Sequence, residues 1–479
     1  MSIDRRRFLQ LAATGAGAAA LPLWGCGAAA EDPWRVARRI RDYVVVPTFP
    51  DRTFDIRDYG AAGDGAMDCT DAFRQAVAAC AEAGGGRVLV SEGTYRTGPI
   101  HLRSNVNLHV AAGATVSFIP EPERYLPPVF TRWEGVELLG YSPLIYAHRQ
   151  ENVAVTGAGT LDGSADNTTW WPWKGEWSRR QWEVDEVVNQ KHARAKLFQA
   201  AEDGVPVAGR VFAGGNYLRP PFLQPYECRK VLIEGVTIRN SPFWVIHPVL
   251  CESVTVRRVT VDSHGPNSDG CDPESCDHVL IEDCVFDTGD DCIAIKSGRN
   301  ADGRRVGVPC RNVVIAGCTM RAGHGGIVVG SEISGGAANI FAEKCAMSSP
   351  NLLRGIRIKT NSRRGGTVEG VHIRDVTIGD VGDMLVINFY YEEGDVGEFD
   401  PVVRDVTIES LRCRQAERAF HVRGYERSPI RDLRLVDVQV DAVEQDGVVE
   451  NVVGFRTDNV TVAGRPVDGR RLVAGAEVV

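Results

Sequence analysis

The segment Val279-Leu-Ile-Glu-Asp-Cys284 decides how this chain folds, because its pattern of apolar, any, apolar, any, any, apolar returns on both sides of it. Upstream stand Val231-Leu-Ile-Glu-Gly-Val236 and Val254-Thr-Val-Arg-Arg-Val259. Downstream stand Val313-Val-Ile-Ala-Gly-Cys318, Ile340-Phe-Ala-Glu-Lys-Cys345 and Val371-His-Ile-Arg-Asp-Val376, then Val403 with Val406, and Leu433 with Leu435 and Val438. A spacing of roughly 23 to 34 residues marks a solenoid, whose repeats bury their apolar faces only by stacking. The runs are short, rich in Val and Ile, alternate in polarity and are separated by Gly, Asn, Asp and Ser, which reads as strand rather than helix. One such strand per coil makes a parallel β-helix, an all-β fold. Leucine-rich repeats are the rival; they need a steadier leucine pattern. Residues 51–479 read as one domain, since a solenoid grows by adding coils. A helix over Asp71 to Ala83, with Thr70 as its N-cap, is expected to cover the amino end of the core.

Register then says which polar residues become neighbours. Four clusters follow or interrupt the repeats: Asn267-Ser-Asp-Gly270, Gly289-Asp-Asp-Cys292, Gly323-His-Gly325 and Arg357-Ile-Lys359. Asp290 lies six residues after Cys284 and His324 six after Cys318, so the two fall at equivalent places on successive coils, about 4.8 Å apart. Ile293-Ala-Ile-Lys296 and Ile356-Arg-Ile-Lys359 align likewise, isoleucines inward and the cationic residues outward. In a regular strand Asp290 and Asp291 would face opposite sides, but Gly289 permits a turn that brings both to one cleft. The result is Asp269, Asp290 and Asp291 beside His324, with Lys296, Arg357 and Lys359 nearby. Paired carboxylates are suited to splitting a glycosidic bond, one protonating the leaving oxygen and another activating water. The fixed cations point to an acidic substrate. Each cluster alone reads more simply as turn chemistry or a solvated face; their order and register carry the argument.

These motifs resemble those of the polygalacturonases, glycoside hydrolase family 28, whose pattern runs Asn-Thr-Asp, Asp-Asp, Gly-His-Gly, Arg-Ile-Lys. Ser268 replaces the usual threonine. Tyr391, in Ile387-Asn-Phe-Tyr-Tyr-Glu-Glu-Gly394, matches the substrate-contacting tyrosine by spacing, with Tyr390 as its competitor. Phe54-Asp-Ile-Arg-Asp-Tyr-Gly-Ala-Ala-Gly-Asp-Gly65 is similar to the first coils of the wider pectin-degrading β-helix group. The resemblance implies a right-handed, pectin-lyase-like β-helix and inverting hydrolysis of α-1,4-galacturonosidic bonds, without cofactor or metal. By the same resemblance Asp290 is the general acid, Asp269 and Asp291 activate water, and His324 sustains the acid's protonation. Arg357, Lys359 and Tyr391 would contact galacturonate, with Asn267 and Lys296 completing the substrate-binding set. Two other hydrolytic targets, xylogalacturonan and a rhamnogalacturonan backbone, and a non-catalytic glycan-binding β-helix stand as alternatives. A calcium-dependent lyase would need a basic Arg or Lys in place of the carboxylates.

Thirteen cysteines invite a disulfide or zinc reading, above all Cys271, Cys276, His278 and Cys284. However, Cys284, Cys318 and Cys345 occupy the repeat position that Val236, Val259 and Val376 fill elsewhere, which reads as a buried thiol column. A Cys271–Cys276 bridge stays open. Trp170, Trp171, Trp173, Trp177 and Trp182 fall in an insertion at about 164–220, where they either stack on sugars or pin the loop. Such an insertion beside a cleft would bias cutting toward chain ends. Residues 1–30 resemble a twin-arginine export signal around Arg5-Arg-Arg7, with Cys26 as a lipid-attachment site or Ala28-Ala-Ala30 as a simple cleavage site. Residues 31–50 read as a linker, and the protein as an exported monomer, periplasmic or extracellular, touching membrane only through a lipid. The formal charge of −9 becomes about −11 once Asp4 and three arginines leave with the signal. Nucleic acid is excluded as a partner by that charge, and an acidic glycan must be held by a local cationic cleft.

Overall fold

The computed structural model describes residues 32–445 and 447–473. The export and lipid-attachment readings of residues 1–30 lie outside them. The chain winds into a right-handed parallel β-helix. One wall is built from β1 (Glu151–Gly157), β2 (Arg229–Glu234), β3 (Glu252–Arg257), β4 (Asp277–Glu282), then β6 (Cys310–Ala316) and β8 (Ala337–Glu343). It continues through β10 (Thr367–Asn388), β11 (Val402–Arg423), β12 (Ile430–Val443) and β13 (Arg456–Val462). A second wall carries β5 (Ile293–Ile295), β7 (Ile327–Gly330) and β9 (Arg354–Lys359), then the later part of β10.

The observed register is Val231, Val254, Val279, Val313, Ile340, Val371, Val406, Leu433, each directly on the next. The coil after Val371 is therefore aligned through Val406, Ile408 and Leu411, not through Val403, which sits on Val368. The spacing of Val403 and Val406 mimics the end of the motif, so the pattern alone suggests a shifted register. The two free positions of the pattern are a corner. Asp283, Lys344, Asp375 and Asp437 hold φ of 51 to 55°, so a left-handed residue at this corner turns the chain and lets Ile281 and Cys284 both face inward. Asn, Asp and Gly recur there because they tolerate that conformation best.

Cys284, Cys318 and Cys345 form the expected inward column, and all are free. A second column of Cys228, Cys251, Cys276 and Cys310 runs beside it; Cys271 and Cys276 are free thiols too. The segment expected to be a linker is instead a helix, α1 (Pro33–Tyr43). Its buried Trp34, Ala37 and Ile40 lie on outward-facing Val314 and Phe341, so the apolar surface of three coils is covered. α2 (Thr70–Glu82) is the expected cap and buries Phe73, Ala76, Val77 and Cys80, but its N-cap is Cys69. Thr70 Oγ1 instead donates to Asp68 Oδ1 at 2.5 Å and accepts from the Gly98 amide at 2.7 Å. α3 (Lys191–Glu202) belongs to the tryptophan-rich insertion.

Candidate active site

The four clusters converge on the second wall. One oxygen each of Asp269, Asp290 and Asp291 lies within 4.8 Å of the others. Glycine allows this by lacking a side chain. A Cβ on Gly289 would sit 2.2 Å from the Gly265 carbonyl oxygen, one on Gly323 2.6 Å from that of Asp290, and one on Gly325 3.1 Å from Asp291 Oδ1. Gly289 does not adopt a left-handed φ; its role is the close approach of the neighbouring coil.

The three carboxylates differ in their surroundings. Asp269 and Asp291 have side chains 4% and 0% exposed, whereas Asp290 is 16% exposed and is the one open to the cleft. His324 Nδ1 lies 2.9 Å from Asp290 Oδ1, and the His324 amide donates to the Asp290 carbonyl at 3.0 Å. Lys359 Nζ donates to Asp291 Oδ2 at 2.7 Å, and an Arg357 guanidinium nitrogen lies 3.5 Å from Asp291 Oδ1. Asp269 Oδ1 and Asp291 Oδ1 are buried and accept no hydrogen bond among the described residues. Tyr391 roofs the cations, its ring 5.1 Å from Arg357 and 5.0 Å from Lys359. Tyr390 instead packs on Tyr425 and Arg423, which separates the two tyrosines.

Electrostatics set these groups apart. Burial, then the charge of Asp290, pushes the Asp269 carboxyl up to about 8. Burial also raises Asp290, but His324, Lys359 and Lys296 outweigh it and hold that carboxyl below the ordinary aspartate range. His324 in turn is raised above its ordinary value of 6.5, first by the charge of Asp290. The His324–Asp290 pair thus keeps a proton near neutrality, shared across a 2.9 Å contact, while the cluster keeps another on Asp269. Three carboxylates this close cannot all ionise.

Lys296 and Asn267, both expected to contact substrate, are also engaged by protein partners. Lys296 is 2% exposed and stands behind the carboxylates, 3.4 Å from Asp269, 3.7 Å from Asp272 and 3.3 Å from Glu332, under the Trp244 ring at 4.3 Å. It is a buried counter-ion because acids from separate coils surround it. Asn267, with φ 54°, accepts from Arg219 through Oδ1 at 2.8 Å. The structure adds residues that no motif flagged. Arg219 is fully buried, also donating to the Pro266 and Pro242 carbonyls at 2.6 and 2.9 Å, and burial lowers it to about 9. Asp272 is buried without a hydrogen-bond partner among the described residues, and burial raises it far above the usual range. Arg299 binds Glu332 at 3.3 Å and Glu393 at 3.2 Å. One of these was within reach of the sequence, since Asp272 stands three residues after Asp269; Arg219, Glu332 and Arg299 carry no local signal.

A divalent cation does not fit the carboxylate cluster. Lys296, Lys359 and the His324 imidazolium already face Asp269, Asp291 and Asp290, and would repel it. In the insertion, Trp170 packs edge-on to Tyr125 and Trp173, Trp171 Nε1 donates to the Ser241 carbonyl at 2.9 Å, and Trp177 stacks on Trp182. These rings pin the loop to the solenoid and to each other.

Comparison with known proteins agrees with this geometry. Residues 213–460 match glycosyl hydrolases family 28, and residues 53–117 match the group described as rhamnogalacturonase A/epimerase, pectate lyase-like. The crystal structure of a hyperthermoactive exopolygalacturonase from Thermotoga maritima is 45% identical, with a TM-score of 0.86 over 90% of this chain and 96% of that one. A probable polygalacturonase of Vitis vinifera is 26% identical over 80% of this chain and 73% of its own length. An exo-poly-alpha-D-galacturonosidase of Dickeya chrysanthemi is 25% identical over 70% of this chain and 56% of its own length. With four clusters gathered on one wall of a pectin-lyase-like β-helix and the family match spanning them, the chain belongs to family 28 of the glycosyl hydrolases.

Proposed function

We propose that the protein hydrolyses α-1,4-galacturonosidic bonds of homogalacturonan or its oligosaccharides, with inversion, from chain ends. The observation that carries this reading is the division of labour among the carboxylates. Asp290, open to the cleft and bonded to His324, is placed to pass the proton the pair shares to the glycosidic oxygen. Asp269 and Asp291 each keep a buried, unbonded oxygen with which to orient a water, and Asp291, paired with Lys359, takes its proton as it attacks the anomeric carbon. Lys359 and Arg357 pair with Asp291, and their remaining N–H groups serve a substrate carboxylate. That preference for a uronate speaks against neutral sugars. A polymer met outside the cell also suits the export signal read in residues 1–30.

Inverting enzymes commonly hold two carboxyl groups roughly 6.5–9.5 Å apart to make room for water. The 4.8 Å separation here is between nearest oxygens of three groups, so that rule for a two-carboxylate site does not transfer. Chain-end cutting is supported by the insertion, whose Lys174, Gln190 and Arg194 line a cavity with Glu392, the chain neighbour of Tyr391.

The test is hydrolysis of polygalacturonate followed by viscosity and reducing ends together, with proton NMR of the first anomer released. Reducing ends should rise while viscosity holds, and the new anomer should be β. A rapid fall in viscosity at low conversion assigns internal cutting, an α anomer assigns retention, and no new reducing ends at all removes the hydrolase reading.

The pH profile is a second expected result. Because Asp290 raises His324 above 6.5, their shared proton is present below that raised value and lost as pH climbs through it. The alkaline limb of kcat/KM should therefore lie above about pH 6.5. His324→Gln should displace it; a limb that stays in place assigns the proton to another group.

A further inference from the structure

The cations near Asp290 are of two kinds. Arg357 and Lys359, on one side, are matched by Asp291. Lys174 and Arg219, which act on Asp290 from the insertion side, have no acidic partner within ion-pair distance among the described residues. Among the acids around Lys174, Glu134 is held by Arg194 at 2.8 Å, Glu392 by Arg364 at 3.0 Å and Glu176 by Arg180 at 3.5 Å.

Lys174 is not a loose surface lysine. It ends the tight turn Trp171–Lys174, which Trp170 and Trp173 fix edge to face at 4.9 Å and Trp171 ties to the Ser241 carbonyl. It is half-buried and lines a cavity of about 430 Å³ together with Gln190, Arg194, Glu176, Glu186 and Glu392. Gln190 holds Arg219 at 3.2 Å, and Arg219 holds Asn267, so the cavity is tied directly to the turn that carries Asp269. Holding Arg219 out of water and Lys174 half out of it, with no acid paired to either, is costly, and a ligand carboxylate reduces that cost.

We propose that Lys174 forms a second carboxylate-binding subsite, which receives the uronate on the insertion side of the scissile bond. Arg357 and Lys359 then take the carboxylate of the sugar across that bond, and the enzyme reads two consecutive uronates. The inference rests on the proposed galacturonan activity and goes beyond it by requiring acid groups on both sides of the cut.

Steady-state kinetics of wild type, Lys174→Gln and Lys174→Arg on trigalacturonate and on its methyl ester test it, with thermal melting to confirm folding. Lys174→Gln should raise KM for the free acid about tenfold with a much smaller change in kcat, since uniform binding is lost. Lys174→Arg should restore most of it. The preference of wild type for acid over ester should shrink in Lys174→Gln by the same factor. An unchanged KM, or an equal loss on acid and ester, overturns the subsite. A wild type that cleaves neither substrate overturns the galacturonan reading, and the subsite with it.

Discussion

Asp290→Asn lowers kcat on polygalacturonate by about 10³- to 10⁴-fold and leaves the fold intact. General acid catalysis supplies about 10² to 10⁴ in rate. Here the acid is the one carboxylate of three that faces the cleft, so the upper part of that range applies. An amide of the same shape keeps the backbone bonds that place residue 290, in which its carbonyl accepts from His324 N at 3.0 Å and Thr288 Oγ1 at 2.7 Å. It removes the ionisable oxygen that shares a proton with His324 Nδ1. The loss should be far smaller on a galacturonide with a nitrophenol leaving group, which departs without a proton. A variant that loses equally on both substrates has been disturbed in shape, and Asp290 is then not the acid. Unchanged hydrolysis would falsify the assignment outright.

Lys296→Met should destabilise the protein by about 3–5 kcal/mol at neutral pH, the cost of leaving buried charge without its partner. The ammonium is the shared counter-ion of Asp269, Asp272 and Glu332. Burial opposes its charge, yet Glu332, Asp269 and Asp272 together hold its pKa well above the ordinary lysine value. Glu332 is held below the usual glutamate range because Lys296 and Arg299 outweigh its burial. Without Lys296 that carboxyl rises above its unfolded value, so the folded state binds the extra proton. The deficit should therefore shrink as pH falls and widen as pH rises. Urea denaturation at several pH values measures this. A deficit below about 1 kcal/mol, or one that is flat with pH, would mean the acids are already neutral and Lys296 is dispensable. Activity should fall too, since Asp269 loses the charge behind it.

The sequence disclosed the wall and its order because both follow from a period. Once Val279 and Val313 are stacked, Asp290 and His324 have nowhere else to be. Lys296 misled because its spacing from Ile293 says only that it points out of the core, and the acids that enclose it include Asp269 and Glu332, 27 and 36 residues away along the chain. The helix over Pro33–Tyr43 had a legible start, Asp32 before Pro33, and an apolar spacing at Trp34, Ala37 and Ile40. Its length is easily taken for a spacer because arginines fill the other face. Nothing local tells that Glu392 meets the insertion, since that contact joins two loops that no repeat relates. Polar networks between irregular segments are written in three dimensions only.

The helix at the amino end has one more implication. Trp34 bonds Glu409 through Nε1 at 2.7 Å and leans on Phe341, while Arg41 reaches both Glu282 and Glu343. A helix made before the solenoid thus acts as a splint across turns that are made much later, the same turns that bear Asp290, His324 and Arg357. Loss of this helix loosens the middle of the molecule and spares the first coil, so the chemistry is guarded by a segment far upstream of it in the chain.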